Sequence, residues 1–392
     1  MIKNTEENML KFNKYINQRK ENDLDIIDLV KYLSSNHSFL FKDALEDSKK
    51  QKLEQIIDSK DSYLLILVDG LGYYKVQSLN ENSILKRACK YKLNTVNPTS
   101  TACILTSIFT CRYPLEHGVF GWWQYSKKLN KNYYPLLMQT KDDEKIKPRD
   151  IFKFDSIFDI FSSKVNIYMN RQIINSDFSK VFAGKKASRY GYYSVRESFE
   201  KIQKNINPNV KSFNYLYIDG LDNMSHVYGI DSIEVQNIIN EIERGIINIK
   251  RKFENLKIIV IADHGQTTMN SMLYLNQNND YSKYFYALPS IDTRCISFFV
   301  KDEFKDEFET KFMDEFSKDV ILFTKEEIEN NNLFGNGKFS NIANDAIGEY
   351  VAFIVNEKFM VCDKITYEDK MFTKGNHSGL TRYETTIPLI VI

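Results

Sequence analysis

Tyr63-Leu64-Leu65-Ile66-Leu67-Val68-Asp69-Gly70 decides the fold. Six apolar residues run without polar alternation and stop at an Asp-Gly turn. A strand of this kind needs cover on both faces, as in the middle of a parallel sheet. The same grammar recurs in Tyr215-Leu216-Tyr217-Ile218 before Asp219-Gly220, and in Ile258-Ile259-Val260-Ile261-Ala262 before Asp263-His264-Gly265. Tyr91 to Val96 and Ile387 to Ile392 read as further strands, and 101–110 and 231–252 as helices. The alternation predicts an α/β fold with a mostly parallel central sheet. Such sheets collect ligands beyond the carboxyl ends of their strands. Asp69, Asp219, Asp222, Asp263 and His264 are therefore expected along one edge.

The rest of the chain bounds this reading. Residues 1–60 read as a polar helical extension outside the core and 61–392 as the main domain. Within the latter, about 285–360 reads as an inserted α+β lobe, with strands Cys295–Val300 and Tyr350–Val355 and a charged helix from Lys301 to Lys318. Lys plus Arg number 53 and Asp plus Glu 52, a net charge of +1, so no strong field points to a nucleic-acid polymer or an anionic membrane. No apolar run reaches the ~18 residues of a membrane span. The first thirty residues are charged and amphipathic, unlike a secretory signal. The five cysteines form no Cys-x-x-Cys pair, so reduced thiols and a cytoplasmic location are expected.

Several short motifs could carry chemistry, and each has an ordinary structural explanation when taken alone. Asp263-His264, in a turn after a buried strand, can offer two ligands to one ion, or be a helix cap and a packed loop histidine. Asp222 and His226 share a helix face at i, i+4 and offer the oxygen and nitrogen donors that suit zinc; the alternative is a cap and a surface histidine. His377 sits between glycines in Gly375-Asn376-His377-Ser378-Gly379. Asn97-Pro98-Thr99-Ser100-Thr101-Ala102 places Thr101 near a helix amino terminus, where free N–H groups favour an anion, or makes a plain Ser/Thr cap. Trp122, Trp123, Tyr125, Tyr73 and Tyr74 form either an aromatic wall for substrate or core packing. His37 and His117 read as structural residues, or as support behind the ligands.

Together these pieces resemble one family. Asp69-Gly70, Pro98-Thr99-Ser100-Thr101, Tyr113-Pro114-Leu115-Glu116-His117-Gly118, Asp222 to Gly229 with His226 inside, Asp263-His264-Gly265 and Gly375-Asn376-His377 follow one another. This order is similar to that of the type I phosphodiesterase/nucleotide pyrophosphatase family of the alkaline phosphatase superfamily. The resemblance implies an alkaline-phosphatase-like three-layer α/β/α fold and two divalent metal ions, zinc first and manganese second. It implies that Asp69, Thr101, Asp263 and His264 surround one ion and that Asp222, His226 and His377 bind the other. It also implies that Thr101 is the nucleophile, passing through a phospho-threonine intermediate. The substrate would be a small phosphate ester, with nucleotides among the candidates and Trp122, Trp123 and Tyr73 against it. The chain departs from the animal nucleotide pyrophosphatases at Val119-Phe120-Gly121-Trp122-Trp123, where Trp122 stands in place of an Asn that helps hold a phosphoryl oxygen.

Two other functions use the same residues. A phosphomonoesterase or phosphotransferase would differ in its preference for monoesters. A degenerate metal-binding regulatory module would lack turnover. Thr101-Ala102-Cys103-Ile104-Leu105 lacks the sulfatase pattern, and no DxDx[TV] motif points to the haloacid dehalogenases.

Overall fold

Strand Tyr63–Val68 is buried at every position and lies at the centre of a seven-stranded sheet. The computed structural model describes residues 6–21, 24–38, 45–58, 62–276, 278, 280–362 and 372–392. Tyr63–Val68 pairs in parallel with Ser212–Ile218 on one side and Lys257–Ile261 on the other, so Leu65 lies level with Tyr215 and Ile259. Beyond Ser212–Ile218 come Lys164–Asn170 and Ser188–Tyr192, also parallel. Beyond Lys257–Ile261 comes Thr386–Val391, antiparallel to both its neighbours, and then Cys89–Asn94 at the edge. The expected α/β class with a mostly parallel sheet is thus observed. The strand expected at Tyr91–Val96 begins and ends two residues earlier, as Cys89–Asn94.

Helices cover the sheet in two groups. Val195–Asn205 and Gly220–Tyr228 pack on Ile233–Lys252, and Ile26–His37 and Asp177–Ala183 pack on Thr101–Thr110. Ile233–Lys252 starts at Ser232, whose hydroxyl accepts the Val235 N–H, and buries Val235, Ile239, Ile242, Ile246 and Ile249 along one stripe. Gly245 lets the Val195–Asn205 helix close in: a Cβ there would lie 2.2 Å from the Phe199 ring.

The described residues among the first sixty are less peripheral than their polarity suggests. Ile26–His37, capped reciprocally by Asp25 and Asp28, puts Ile26, Ile27, Leu29, Val30 and Leu33 into the main core. Helix Glu6–Glu21 reaches the second sheet, where Asn8 donates to the Ser317 and Val320 carbonyls and Phe12 meets Phe323 at 4.9 Å. That second sheet is antiparallel, in the order Phe285–Ile291, Cys295–Val300, Tyr350–Ile354, Val320–Thr324. Its helix spans Lys305–Phe316 rather than 301–318, because a short 3-10 turn occupies Asp302–Phe304 and the chain leaves the helix at Ser317. Among the described residues no helix is long and apolar enough to cross a membrane.

Two histidines serve the core. His37 stacks on Phe161, with Tyr63 and Phe213 edge-on, and shares a hydrogen bond with Ser163 Oγ at 2.7 Å. His117 bonds Ser107 Oγ at 2.9 Å and accepts the Val119 N–H. Burial lowers His37 from 6.5 to about 4 and His117 to about 3. Below 6.5 an unfolded chain protonates these sites while the folded chain does not, so stability falls as pH drops from 6.5 toward 4. His37→Phe keeps the stack and is expected to flatten that slope by about one proton. Urea midpoints measured across the window check this.

Candidate active site

Three of the parallel strands end at one edge of the sheet, and each delivers an acid there. Tyr63–Val68 leads into Asp69, and Gly70 turns the chain with φ 76°. The Gly70 N–H donates to Asp263 Oδ1 at 3.1 Å, and the His264 N–H donates to the same oxygen at 2.8 Å. Asp263 Oδ2 has no hydrogen-bond partner, although the residue is fully buried. Asp69 repeats the pattern: Oδ2 accepts from the Tyr217 hydroxyl and buried Oδ1 has no hydrogen-bond partner. Burial, then the nearby Asp263 and Asp222 carboxylates, hold Asp69 well above the usual carboxylate range. Buried carboxylate oxygens without a donor are costly alone and are what a cation satisfies.

The histidines are oriented to match. His226 Nδ1 faces the Gly375 carbonyl at 2.7 Å, His377 Nδ1 the Thr99 carbonyl at 2.8 Å, and His264 Nδ1 the Gly265 carbonyl at 3.1 Å. A carbonyl only accepts, so each Nδ1 carries a proton, which leaves Nε2 as the nitrogen that each neutral imidazole can offer to an ion. The His226 Nε2 lies 3.1 Å from Asp222 Oδ2, and that of His377 3.8 Å from Asp222 Oδ1. The His264 Nε2 lies 3.5 Å from both Asp69 Oδ1 and Asp263 Oδ2. Two sets have donor atoms within 4.8 Å of one another: Asp222, His226 and His377, and Asp69, Asp222 and His264. Mixed nitrogen and oxygen donors at this density fit a divalent metal ion.

The electrostatics describe the same crowding. Burial works against the Asp222 charge, but the imidazoles of His226, His377 and His264 outweigh it and hold Asp222 below its usual range. Burial also opposes charge on His226, yet Asp222 beside it lifts that imidazole to about 9. Burial and then His264 hold His377 down at about 4.

Gly265 permits the turn to close. A Cβ there would lie 2.0 Å from the Tyr383 carbonyl oxygen and 2.8 Å from Gly72 Cα. Gly265→Ala is expected to displace His264 and destabilise the fold by about 1–3 kcal/mol. Thermal unfolding of the variant beside the wild type checks this.

Thr101 opens the ten-residue helix Thr101–Thr110, and its Oγ1 lies 3.3 Å from His264 Nε2. Ser100 at the N-cap makes no side-chain bond to the helix; its hydroxyl donates to Asp292 Oδ2 at 3.1 Å. The helix terminus therefore keeps N–H groups for an anion. Thr101, Asp69, Asp222, His226 and His377 line a cavity of about 610 Å³, with Leu105, Leu137 and Phe178 among its apolar walls.

The aromatic candidates divide. Trp122, 45% exposed, lines this cavity and a neighbouring one of about 240 Å³. Trp123 lines the smaller cavity alone, its Nε1 fixed on the Pro289 carbonyl at 2.7 Å. Tyr73 lines neither. The helix Tyr73–Ser78 starts right after Gly72 and carries it away, so that its ring meets Tyr74 edge-on. Sequence reasoning passed over several polar neighbours. Gln266 donates to Asp222 Oδ1, Tyr217 to Asp69, and Asn376 Oδ1 accepts the His377 N–H at 2.8 Å. Asp292 and Thr293 line both cavities. Only Gln266 and Asn376 had a signal, as chain neighbours of proposed ligands.

Comparison with known proteins agrees with this architecture. Among solved structures, murine ectonucleotide pyrophosphatase/phosphodiesterase 5 superposes with a TM-score of 0.64 at 18% identity, over 83% of this chain and 87% of that one. The human protein of the same name gives 0.61 at 17%, over 84% and 87%. Phosphonoacetate hydrolase from Sinorhizobium meliloti 1021, in complex with phosphonoformate, gives 0.62 at 14%, over 84% and 89%. No curated protein sequence matches the chain. The model of the type I phosphodiesterase/nucleotide pyrophosphatase family matches residues 63–380, from the central strand to just beyond His377, and the chain belongs to that family.

Proposed function

We propose that the protein is a two-metal phosphodiesterase of the nucleotide pyrophosphatase type, with Thr101 as its nucleophile. The observation that carries this is the Thr101 hydroxyl, 3.3 Å from the lone-pair nitrogen of His264 and close to buried carboxylate oxygens that lack donors. Asp69, Asp263, His264 and Thr101 would hold one divalent ion, and Asp222, His226 and His377 the other. Such ions, zinc in preference to manganese, supply Lewis-acid stabilisation and lower the pKa of a bound hydroxyl.

The chain's own groups do the rest. The open terminus of Thr101–Thr110 binds a phosphoryl oxygen through backbone N–H groups. Thr101 Oγ1 forms a bond to phosphorus as the bond to the leaving alkoxide breaks, giving a phospho-threonine. Water then attacks phosphorus and releases Thr101. The apolar walls of the 610 Å³ cavity seat the organic part of the substrate. In this reading residues 61–392 are the catalytic unit with a lobe at 285–360, and the protein works in the cytoplasm with its cysteines reduced.

The size of the cavity favours a small ester. One solved relative, an inactive variant of the murine phosphodiesterase, is in complex with AMP, and another is in complex with phosphonoformate. A nucleotide-like diester is the substrate class proposed. The test is turnover of an aryl phosphodiester and an aryl phosphomonoester by the purified, zinc-loaded or manganese-loaded protein. A diester preference supports the proposal. A monoester preference assigns the same core to a monoesterase or phosphotransferase, and inactivity on both makes the protein a metal-binding module. Trp122→Ala is expected to raise KM roughly tenfold with a smaller change in kcat, because stacking is lost from ground and transition state alike.

A further inference from the structure

Arg294 and Glu384 form an ion pair with both side chains completely buried. Arg294 Nε donates to Glu384 Oε1 at 2.7 Å and Nη2 donates to Oε2 at 3.0 Å. Its Nη1 donates to the backbone carbonyls of Asn356 and Lys358. Neither residue lines the cavity. Both nevertheless connect through hydrogen bonds to the segments that carry His264 and His377.

Glu384 holds two histidine-bearing segments at once. Its carboxylate accepts the Gly379 N–H at 2.8 Å and the Thr381 N–H at 3.1 Å, which braces the loop that carries His377. Its backbone carbonyl accepts the Gly265 N–H at 2.9 Å, which braces the turn that carries His264. Gly379 is wedged between the partners: a Cβ there would lie 3.0 Å from Arg294 Nη2 and from both Glu384 oxygens. The Arg294 N–H donates to Ser378 Oγ at 3.2 Å, the Ser378 N–H donates to Thr99 Oγ1 at 2.9 Å, and the Thr99 carbonyl accepts His377 Nδ1. Two residues before Arg294, Asp292 accepts the hydroxyl of Ser100, which precedes the nucleophile candidate.

A buried pair of this kind adds little net stability, because desolvation offsets much of the attraction. Its forked geometry does fix directions, since bidentate guanidinium–carboxylate bonds tolerate little rotation. We propose that Arg294 and Glu384 are positioning residues that aim His264 and His377 so that their Nε2 atoms converge. This rests on the two-metal reading and adds to it two residues, outside the cavity, that set metal affinity.

The test separates aim from stability in the full chain. Arg294→Met strands Glu384 in the core and lowers Tm. The double variant Arg294→Met/Glu384→Leu removes both charges, and its Tm returns toward that of the wild type. Zinc affinity, measured by competition with a chromophoric chelator, is expected to stay about 10–100-fold weaker in the double variant. Arg294→Lys, measured beside it, keeps the charge without the fork and is expected to show the same direction of change if the double variant does not fold. Wild-type zinc affinity in either folded variant overturns the proposal and leaves the pair a structural one. Absence of zinc and manganese binding by the wild-type protein overturns the two-metal reading instead, and this proposal with it.

Discussion

Thr101→Ala is expected to lower turnover by about four orders of magnitude or more while bound metal stays near the wild-type amount. The substitution removes the one hydroxyl placed both at the open terminus of Thr101–Thr110 and 3.3 Å from His264 Nε2. It leaves Asp69, Asp263 and His264 in place, and alanine is a good first residue for a helix. The terminus can still bind a phosphoryl oxygen, so product and substrate affinity should change little. Rates on an aryl diester, with metal content by mass spectrometry on the same preparation, check both halves. Activity within tenfold of wild type would remove Thr101 from the mechanism. Loss of metal together with activity would make it a ligand first.

Asp222→Asn is expected to be the most damaging change among the metal-ligand candidates, taking metal content below about one ion per chain. Asp222 belongs to both donor sets, with Oδ2 toward His226 and Oδ1 toward His377. Gln266 donates to Oδ1, and an Asn rotated to present its NH2 there would meet a donor with a donor. His226→Ala, by contrast, removes one donor from one set and should lower the stoichiometry by about one. The same substitution has a signature without metal. The Asp222 carboxylate is what lifts His226 to about 9, so in stripped Asp222→Asn that imidazole should titrate much lower. Proton NMR of the stripped protein reads this directly. Full metal content in Asp222→Asn would sink the assignment.

The elements most legible in the sequence were those whose residues carry their own reason. Tyr63–Val68, Ser212–Ile218 and Lys257–Ile261 are unbroken apolar runs, and such runs cannot sit half in water. Helix Gly220–Tyr228 sets Asp222 and His226 on one face by spacing alone. Less legible was anything decided between distant segments. Tyr73 lies four residues after Asp69, but one helical turn points it elsewhere. Ile26–Leu33 looked like part of a polar extension because burial belongs to the partner surface as much as to the segment. Asp292, Tyr217 and Arg294 have no neighbours in sequence that mark them, and their partners lie 90 to 192 residues away. Phe285–Ile291 and Val320–Thr324 flank the lobe strands Cys295–Val300 and Tyr350–Ile354, and only the pairing shows them as part of one sheet.

Strand Thr386–Val391 runs antiparallel between Lys257–Ile261 and Cys89–Asn94. Synthesis proceeds from the amino end, so both neighbours emerge well before the strand that joins them. In that interval Lys257–Ile261 presents a bare row of amides and carbonyls, and Cys89–Asn94 has no place in the sheet. Nascent protein is therefore most open to illicit strand addition by other chains until Thr386–Val391 emerges, and chaperone demand should peak in that interval rather than early in translation.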